Sequence, residues 1–168
     1  YVVRRLVAEG AAVRVAGRHP ERSLFLKTMG DIGQVSLVRT NVLDEKNVAL
    51  AVRNSKAVVN TVGILFQRGQ QNFKNIHVNA PIQIAKISKK YRVKQLIHIS
   101  DRWADENSIS KSSKSRGIAE KRIKEIFEET TIVRLDVLFG KNDGLFFRFG
   151  KIIKLLPMFP LPKGSKAM

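Results

Sequence analysis

Residues 57–65 read AVVNTVGIL. Apolar and β-branched side chains dominate, interrupted by Asn60, Thr61 and Gly63. A run of this length between polar flanks reads as a strand buried on both faces. Its C-terminal end turns small and polar. In an open parallel sheet that is the end where ligands sit. A glycine there lets another backbone, or a phosphate, approach closely. The plain alternative is a core strand ending in an ordinary loop, so the neighbouring segments must decide.

Upstream, residues 1–9 place Val3, Leu6 and Val7 on one helical face, and Gly10 suits a helix stop. Residues 12–16 (AVRVA) alternate as a strand does and run into Gly17-Arg18-His19-Pro20. Residues 21–29 read as a helix ending at Gly30. A short strand follows at 35–38, then Asn41-Val42, then a helix over 45–53. Downstream of the central strand come a polar loop at 67–72 and a long helix at 75–91 carrying Ala80, Ile84 and Ile87. QLIHIS at 95–100 is a second buried-type strand. Residues 101–115 are rich in Ser and Lys and read as a loop. A helix at 117–128, a strand at 131–139 closed by Gly140, an apolar helix at 145–156 and a proline-rich tail at 157–168 complete the order. Strands alternating with helices of this length imply repeated βαβ units: an α/β, doubly wound parallel sheet, Rossmann-like, in one domain over 1–156. The tail at 157–168 reads as the start of a further, C-terminal lobe.

The chain is long enough, at 168 residues, to bury a real core. With 43% hydrophobic and 27% charged residues it is globular in composition rather than disordered. It has no cysteine, which excludes disulfides and thiolate chemistry. The three histidines, His19, His77 and His98, do not have metal-ligand spacing. No apolar run of about eighteen residues predicts a membrane span. Residues 1–10 form an amphipathic helix pattern rather than a signal peptide. The chain opens without Met and inside a helix, so the expectation is that its native N-terminus is missing. The net charge of +17 suits acidic partners: nucleic acid, anionic headgroups or an acidic protein surface. The lysines are spread out, not set in a stripe with interleaved aromatics, so the footprint of a nucleic-acid binder is not met.

Gly17 and Arg18 end the first strand, where a dinucleotide fold reads the adenosine ribose. An acid there would accept from a 2′-hydroxyl, whereas an arginine accommodates a 2′-phosphate. Arg18 without an acid favours NADP(H) over NAD(H). Asn41 and Val42 would flank the adenine, and Thr61, Val62 and Gly63 would pass the ribose and pyrophosphate.

Taken together, GRHPER (17–22), VVNTVGIL (58–65), FKNIHVNAPIQIAKISKKYRVKQLIHIS (73–100) and TIVRLDVLFGKND (131–143) resemble an atypical, extended short-chain dehydrogenase/reductase of the NAD-dependent epimerase/dehydratase superfamily. Within it the VGIL ending and the N-x-H-V-N-A segment look most like the nucleotide-binding accessory subunit of respiratory complex I and its alphaproteobacterial relatives. The family opens with a strand and a G-x-x-G-x-x-G loop that cradles pyrophosphate at a helix N-terminus, and it continues into a smaller substrate lobe. Neither the loop nor that lobe is in these residues, so the resemblance is to a core truncated at both ends.

The resemblance also implies a catalytic Tyr-x-x-x-Lys pair and a serine. SKSSKSRGIAEKR (110–122) matches that region and puts Ser112 at the tyrosine position and Arg116 at the lysine position; Ser100 matches the serine region. A serine hydroxyl is too weak an acid to replace a phenol, and an arginine holds its proton. No tyrosine lies between Val93 and Met168. Arg116 would still bind ribose or phosphate. Where the family has Arg-Pro, this chain has Leu135-Asp136 after Arg134. His77 is expected to pack a helix and His98 to lie in the core. The expected function is therefore an NADP(H)-binding, non-catalytic accessory or assembly subunit of complex I, cytoplasmic or on the matrix side, peripheral to the inner membrane. The alternative is a working NAD(P)-dependent reductase or epimerase on a sugar nucleotide, sterol or quinone-like substrate. A third reading is a split remnant without activity.

Overall fold

A computed structural model describes residues 1–138, 140 and 150. Residues Tyr1–Arg134 form one compact unit. The expected tail at 157–168, and the expected helix at 145–156 apart from Gly150, lie outside the described residues.

The element order is α1 (Val2–Ala8), β1 (Val13–Gly17), a 3₁₀ segment (Pro20–Met29), β2 (Val35–Arg39), α2 (Glu45–Val52), β3 (Ala57–Asn60), a π-helical segment (Lys74–Asn79), α3 (Ala80–Lys90), β4 (Gln95–Asp101), α4 (Lys111–Ile126) and β5 (Thr130–Leu135). Strands and helices alternate as the sequence predicts. β1 pairs with β2 in parallel, Val13 opposite Val35, and β3 pairs with β4 in parallel, Asn60 opposite His98. β5 lies on the other side of β4.

The reading of 57–65 needs a correction. Only Ala57–Asn60 is strand, and it is the edge of the β3-β4-β5 sheet rather than a centre buried on both faces. Ala57 is exposed and Val58 and Val59 are half-buried, because no strand among the described residues pairs with the outer edge of β3. The strand stops at Asn60 because its side-chain oxygen accepts from the Val62 amide (3.1 Å), turning the chain into a loop. β4 is the strand with the buried alternation: Leu96, His98 and Ser100 on one face are all at most 4% exposed.

Other boundaries differ from expectation; β5 ends at Leu135, short of the expected strand at 131–139. Residues 20–29 form a 3₁₀ segment with no buried residue, and Leu24 and Phe25 face solvent, so no packing enforces an α-helix there. The expected loop at 101–115 ends at Ser110, whose side chain caps α4 by accepting from the Ser113 amide (3.4 Å). The long helix at 75–91 begins as a π-helical turn. Pro81 has no N–H for the His77 carbonyl, and the chain widens there so that the Ala80 N–H reaches the Asn75 carbonyl. α2 starts at Asp44, whose carboxylate accepts from the Lys46 (2.9 Å) and Asn47 (3.2 Å) amides. Gly10, at φ +82°, ends α1 as predicted.

The core lies where α2, α3 and α4 meet β4. Val48, Val52, Ile84, Ala85, Ile87, Leu96, Ala119, Ile123 and Phe127 close it. Burial of Leu96 alone stabilises by about 2 kcal/mol. This packing fixes the ends of β3 and β4 against the first turns of α4.

Candidate functional site

Of the predicted residues, Gly17, Arg18, Asn41, Val42, Thr61, Val62, Gly63 and Ser100 fall at the C-terminal ends of β1 to β4, and Ser112 and Arg116 on α4. Gly17 ends β1 and Arg18 follows it, exposed and without a partner among the described residues, none of which lies within 4 Å of the position a Gly17 Cβ would occupy. Asn41, after β2, uses its side chain to accept from the Leu43 amide (3.1 Å). The Val42 carbonyl accepts from the Gln83 amide of α3 (3.4 Å). Beside them a cavity of about 260 Å³ is lined by Leu43, Gln70, Asn75, Asn79, Ala80 and Gln83. Thr61 and Gly63 are exposed and Val62 is half-buried in the loop after β3.

That loop is held at both ends by histidines. At its start, the Asn60 side-chain amide donates to His98 Nδ1 (3.0 Å), which orients the Asn60 oxygen toward Val62. At its far end, the Ile64 amide donates to His77 Nε2 (3.2 Å), with the Ile64 carbonyl 3.1 Å from the same nitrogen. Ser115 spends its hydroxyl proton on the Ser112 carbonyl (2.7 Å), so its oxygen accepts from His77 Nδ1 (3.1 Å). That assigns the proton of neutral His77 to Nδ1 and leaves Nε2 free to accept. Phe73, at the N-terminal cap of the π-helical segment, stacks on the His77 ring at 4.9 Å.

Both imidazoles are held neutral. Burial, and then the Arg116 charge, lower the His77 pKa to about 4. Burial lowers His98 to about 4 as well, aided by Arg116 and opposed by Glu120. Sequence reasoning placed both residues correctly as buried. It missed that they clamp the loop, since the partners lie 13 and 38 residues away.

Arg116 and Gly63 are brought together: a Cβ on Gly63 would sit 3.3 Å from Arg116 Nη2. A larger residue there would press on the guanidinium. Arg116 is half-buried, and its Nε is shielded from solvent with no partner; the Ser100 hydroxyl, 4% exposed, has none either. Among the described residues, the Arg116 Nε and the Ser100 hydroxyl are thus two buried polar atoms left without a hydrogen-bond partner. Ser112 lies half-buried on the first turn of α4, and no tyrosine is on that helix. A larger cavity, about 1000 Å³, opens between Trp103, Gly117, Glu120, Lys124, Ile132 and Arg134, and none of the predicted site residues lines it. Among the described residues no group of His, Asp and Glu converges as a metal site would require.

The parallel strands with helices between them, and a polar loop at the strand ends, define a dinucleotide-binding type of domain. In fold the chain is similar to NAD-dependent epimerases/dehydratases and short-chain dehydrogenase/reductases. A putative NAD-dependent epimerase/dehydratase from Bacillus halodurans superposes with a TM-score of 0.70, at 19% identity over 86% of this chain and 67% of that one. UDP-glucuronic acid 4-epimerase from Bacillus cereus, in complex with NAD, gives 0.71 at 13% identity, over 91% and 58%. Triphenylmethane reductase from Citrobacter, complexed with NADP(H), gives 0.60 at 14% identity, over 79% and 44%.

Within that fold its curated homologues are mitochondrial complex I subunits. It is 32% identical over 150 residues to NADH dehydrogenase (ubiquinone) 1 alpha subcomplex subunit 9 of Mus musculus, covering 89% of this chain and 40% of the relative. It is 30% identical to the NADH-ubiquinone oxidoreductase 40 kDa subunit of Neurospora crassa, covering 93% and 42%. The Dictyostelium discoideum subunit 9 matches at 32%, over 95% and 45%. The chain thus spans less than half the length of these relatives. No family model matches the sequence. No helix among the described residues is long and apolar enough to cross a membrane.

Proposed function

We propose that the chain is the nucleotide-binding part of an accessory or assembly subunit of respiratory complex I, and that it holds NADP(H) without turning it over. The observation that carries this reading is the similarity to complex I subunits over about nine tenths of the chain. The site supports it. Arg18 is exposed after β1, without a partner among the described residues, where a 2′-phosphate would be met. Asn41, Val42 and the small cavity beside them suit an adenine. The loop from Thr61 to Gly63 suits ribose and pyrophosphate, and Ser100 and Arg116 suit the nicotinamide side. A bound nicotinamide would supply a hydride donor or acceptor. Ser112 and Arg116 would supply no proton for such a reaction, because one is too weak an acid and the other does not release its proton near neutrality.

The location that follows is the matrix side of the inner membrane, with the basic surface against acidic subunits or headgroups. The test is purification of the full-length protein through a mild affinity tag. The expected result is co-purification of complex I subunits and retention of NADPH, released on acid extraction, with no NADPH oxidation across carbonyl and quinone substrates. A preparation free of complex I subunits overturns the assembly role. Steady substrate-dependent oxidation would instead establish the reductase alternative.

A further inference from the structure

The 3₁₀ segment Pro20–Met29 buries none of its ten residues. A 3₁₀ run of that length is uncommon, because its hydrogen bonds are poorer than those of an α-helix. The segment is tied at its start, where the Glu21 carboxylate accepts from Arg39 Nη2 (3.3 Å) and lies 3.1 Å from His19 Nδ1. Near its end the Thr28 hydroxyl donates to the Phe25 carbonyl (2.9 Å). Between these ties Leu24 and Phe25 are adjacent and exposed, at 57% and 60%. Residues three apart eclipse in a 3₁₀ helix, so Phe25 lies in line with Arg22, and Leu24 with Lys27. Both cations are exposed, and their side chains have no partner among the described residues. Glu21 is the one acid in residues 18–29, and it is already held by Arg39 and His19. The apolar pair is therefore framed by uncompensated positive charge. Other exposed apolar side chains are set differently. Leu50 stands on α2, which opens with Asp44 and Glu45. Trp103 lies under the Arg102 guanidinium (5.2 Å) at the larger cavity. Leu65 and Phe66 follow the loop clamped by His77.

We infer that this segment is a membrane contact: Leu24 and Phe25 enter the interface of an anionic lipid bilayer while Arg22 and Lys27 meet its headgroup phosphates. An aliphatic and an aromatic side chain edged by cations suit the boundary between headgroups and acyl chains. The cations add attraction for anionic headgroups, and the net charge of +17 favours approach to such a surface. A folded protein partner would call for a shaped recess, and the segment lines neither cavity described above. A fluid bilayer needs none. Two apolar side chains give reversible binding only, so the contact orients a subunit that its protein partners hold. This deepens the reading of a membrane-peripheral subunit by naming the surface that touches lipid, and rests on that reading only for the nearness of a membrane.

The experiment co-sediments the purified full-length protein with vesicles of equimolar phosphatidylcholine and phosphatidylglycerol, and with vesicles of phosphatidylcholine alone. The wild type binds the anionic vesicles, less so as salt is raised, and leaves the neutral ones. Leu24→Ser with Phe25→Ser weakens that binding roughly tenfold. Arg22→Gln with Lys27→Gln weakens it by roughly tenfold or more, each cation contributing a factor of about five. All four side chains are exposed, so both variants keep the wild-type melting temperature. Leu50→Ser with Lys46→Gln, the same kinds of change on α2, leaves vesicle binding as it was. Insertion is read from Phe25→Trp in a Trp103→Phe background, which leaves position 25 with the sole indole of the chain; its emission moves to the blue on anionic vesicles. Equal vesicle binding by the wild type and both segment variants overturns the inference, as does an indole at position 25 whose emission stays put. Segment variants that lose complex I subunits on purification but keep vesicle binding give the surface to an acidic protein, and overturn it too. The vesicle assay contains neither complex I nor NADPH, so its result is separate from that of the proposed function. Binding through Leu24 and Phe25 by a protein that recovers no complex I subunits would retire the assembly role and leave the lipid contact standing.

Discussion

Asn60 and His98 face each other across β3 and β4, with the Asn60 amide nitrogen 3.0 Å from His98 Nδ1. The pair fixes more than itself. Asn60 has one oxygen and one NH₂ group, and once the NH₂ is given to His98 the oxygen must face the Val62 amide. The direction in which the chain leaves β3 is therefore set by a side chain on β4. Asn60→Ala removes both bonds and leaves the buried His98 nitrogen unsatisfied. The expected loss of stability is about 2 kcal/mol, read by urea denaturation, with a larger proportional loss of ligand affinity because the loop loses its anchor. Asn60→Asp keeps the acceptor and loses the donor, and should fall between the two.

Acid should loosen the same region. His77 and His98 have pKa values lowered to about 4 in the fold, against about 6.5 in an unfolded chain. The unfolded state therefore binds more protons in this window. Stability is unaffected by these groups above about pH 6.5, and it falls as the pH drops from there toward 4. The upper bound is about 3 kcal/mol per histidine. Melting temperature measured from pH 7.5 to 4.5 should decline, and His98→Gln should flatten the decline. An unchanged slope in that variant would exclude His98 as a source.

Arg18 is exposed at the end of β1 and has no partner among the described residues, so substituting it costs the fold little. Arg18→Ala should weaken NADPH binding by roughly tenfold or more, the value of a charge-assisted contact to a 2′-phosphate, and leave NADH within about twofold. Fluorescence titration of both cofactors measures the ratio. A parallel loss of both would place Arg18 on a group the two cofactors share.

The legible part of this fold was its rhythm. QLIHIS declared β4 because its apolar residues alternate with a histidine and a serine that the fold buries on the same face as Leu96. AVRVA declared β1 in the same way. What was not legible lay where local pattern and tertiary contact disagree. The apolar run at 57–65 continues past the strand, and only the Asn60 turn, set by His98 on a distant segment, ends it. The start of α4 is Ser- and Lys-rich, a composition of loops, and packing of Ser113, Ser115 and Ala119 makes it helical. The π-helical turn had a visible signal in Pro81, the seventh residue of the expected helix at 75–91. Arg18 and Arg116 were picked out by position. That Arg116 stands against Gly63 required the fold, since 53 residues separate them.

Gly117 tests how tightly α4 is seated. An alanine in a helix interior ordinarily stabilises by about 0.5–1 kcal/mol relative to glycine. Here the added Cβ would meet the Glu106 nitrogen and the Asp105 carbonyl carbon, and lie 2.7 Å from the Asp105 Cα. These are backbone atoms, and the segment is held on both sides: the Asp105 amide donates to the Ser113 carbonyl (3.2 Å), and Glu106 pairs with Lys121. The loop cannot yield without breaking those contacts, so the overpacking cost of about 1–3 kcal/mol exceeds the helical gain. Gly117→Ala should therefore be destabilising by about 1–2 kcal/mol in urea titration. Because Arg116 is the adjacent residue, the same variant should shift the His77 imidazole signal. A stabilised variant would mean that residues 105–106 do not pack on α4 as described.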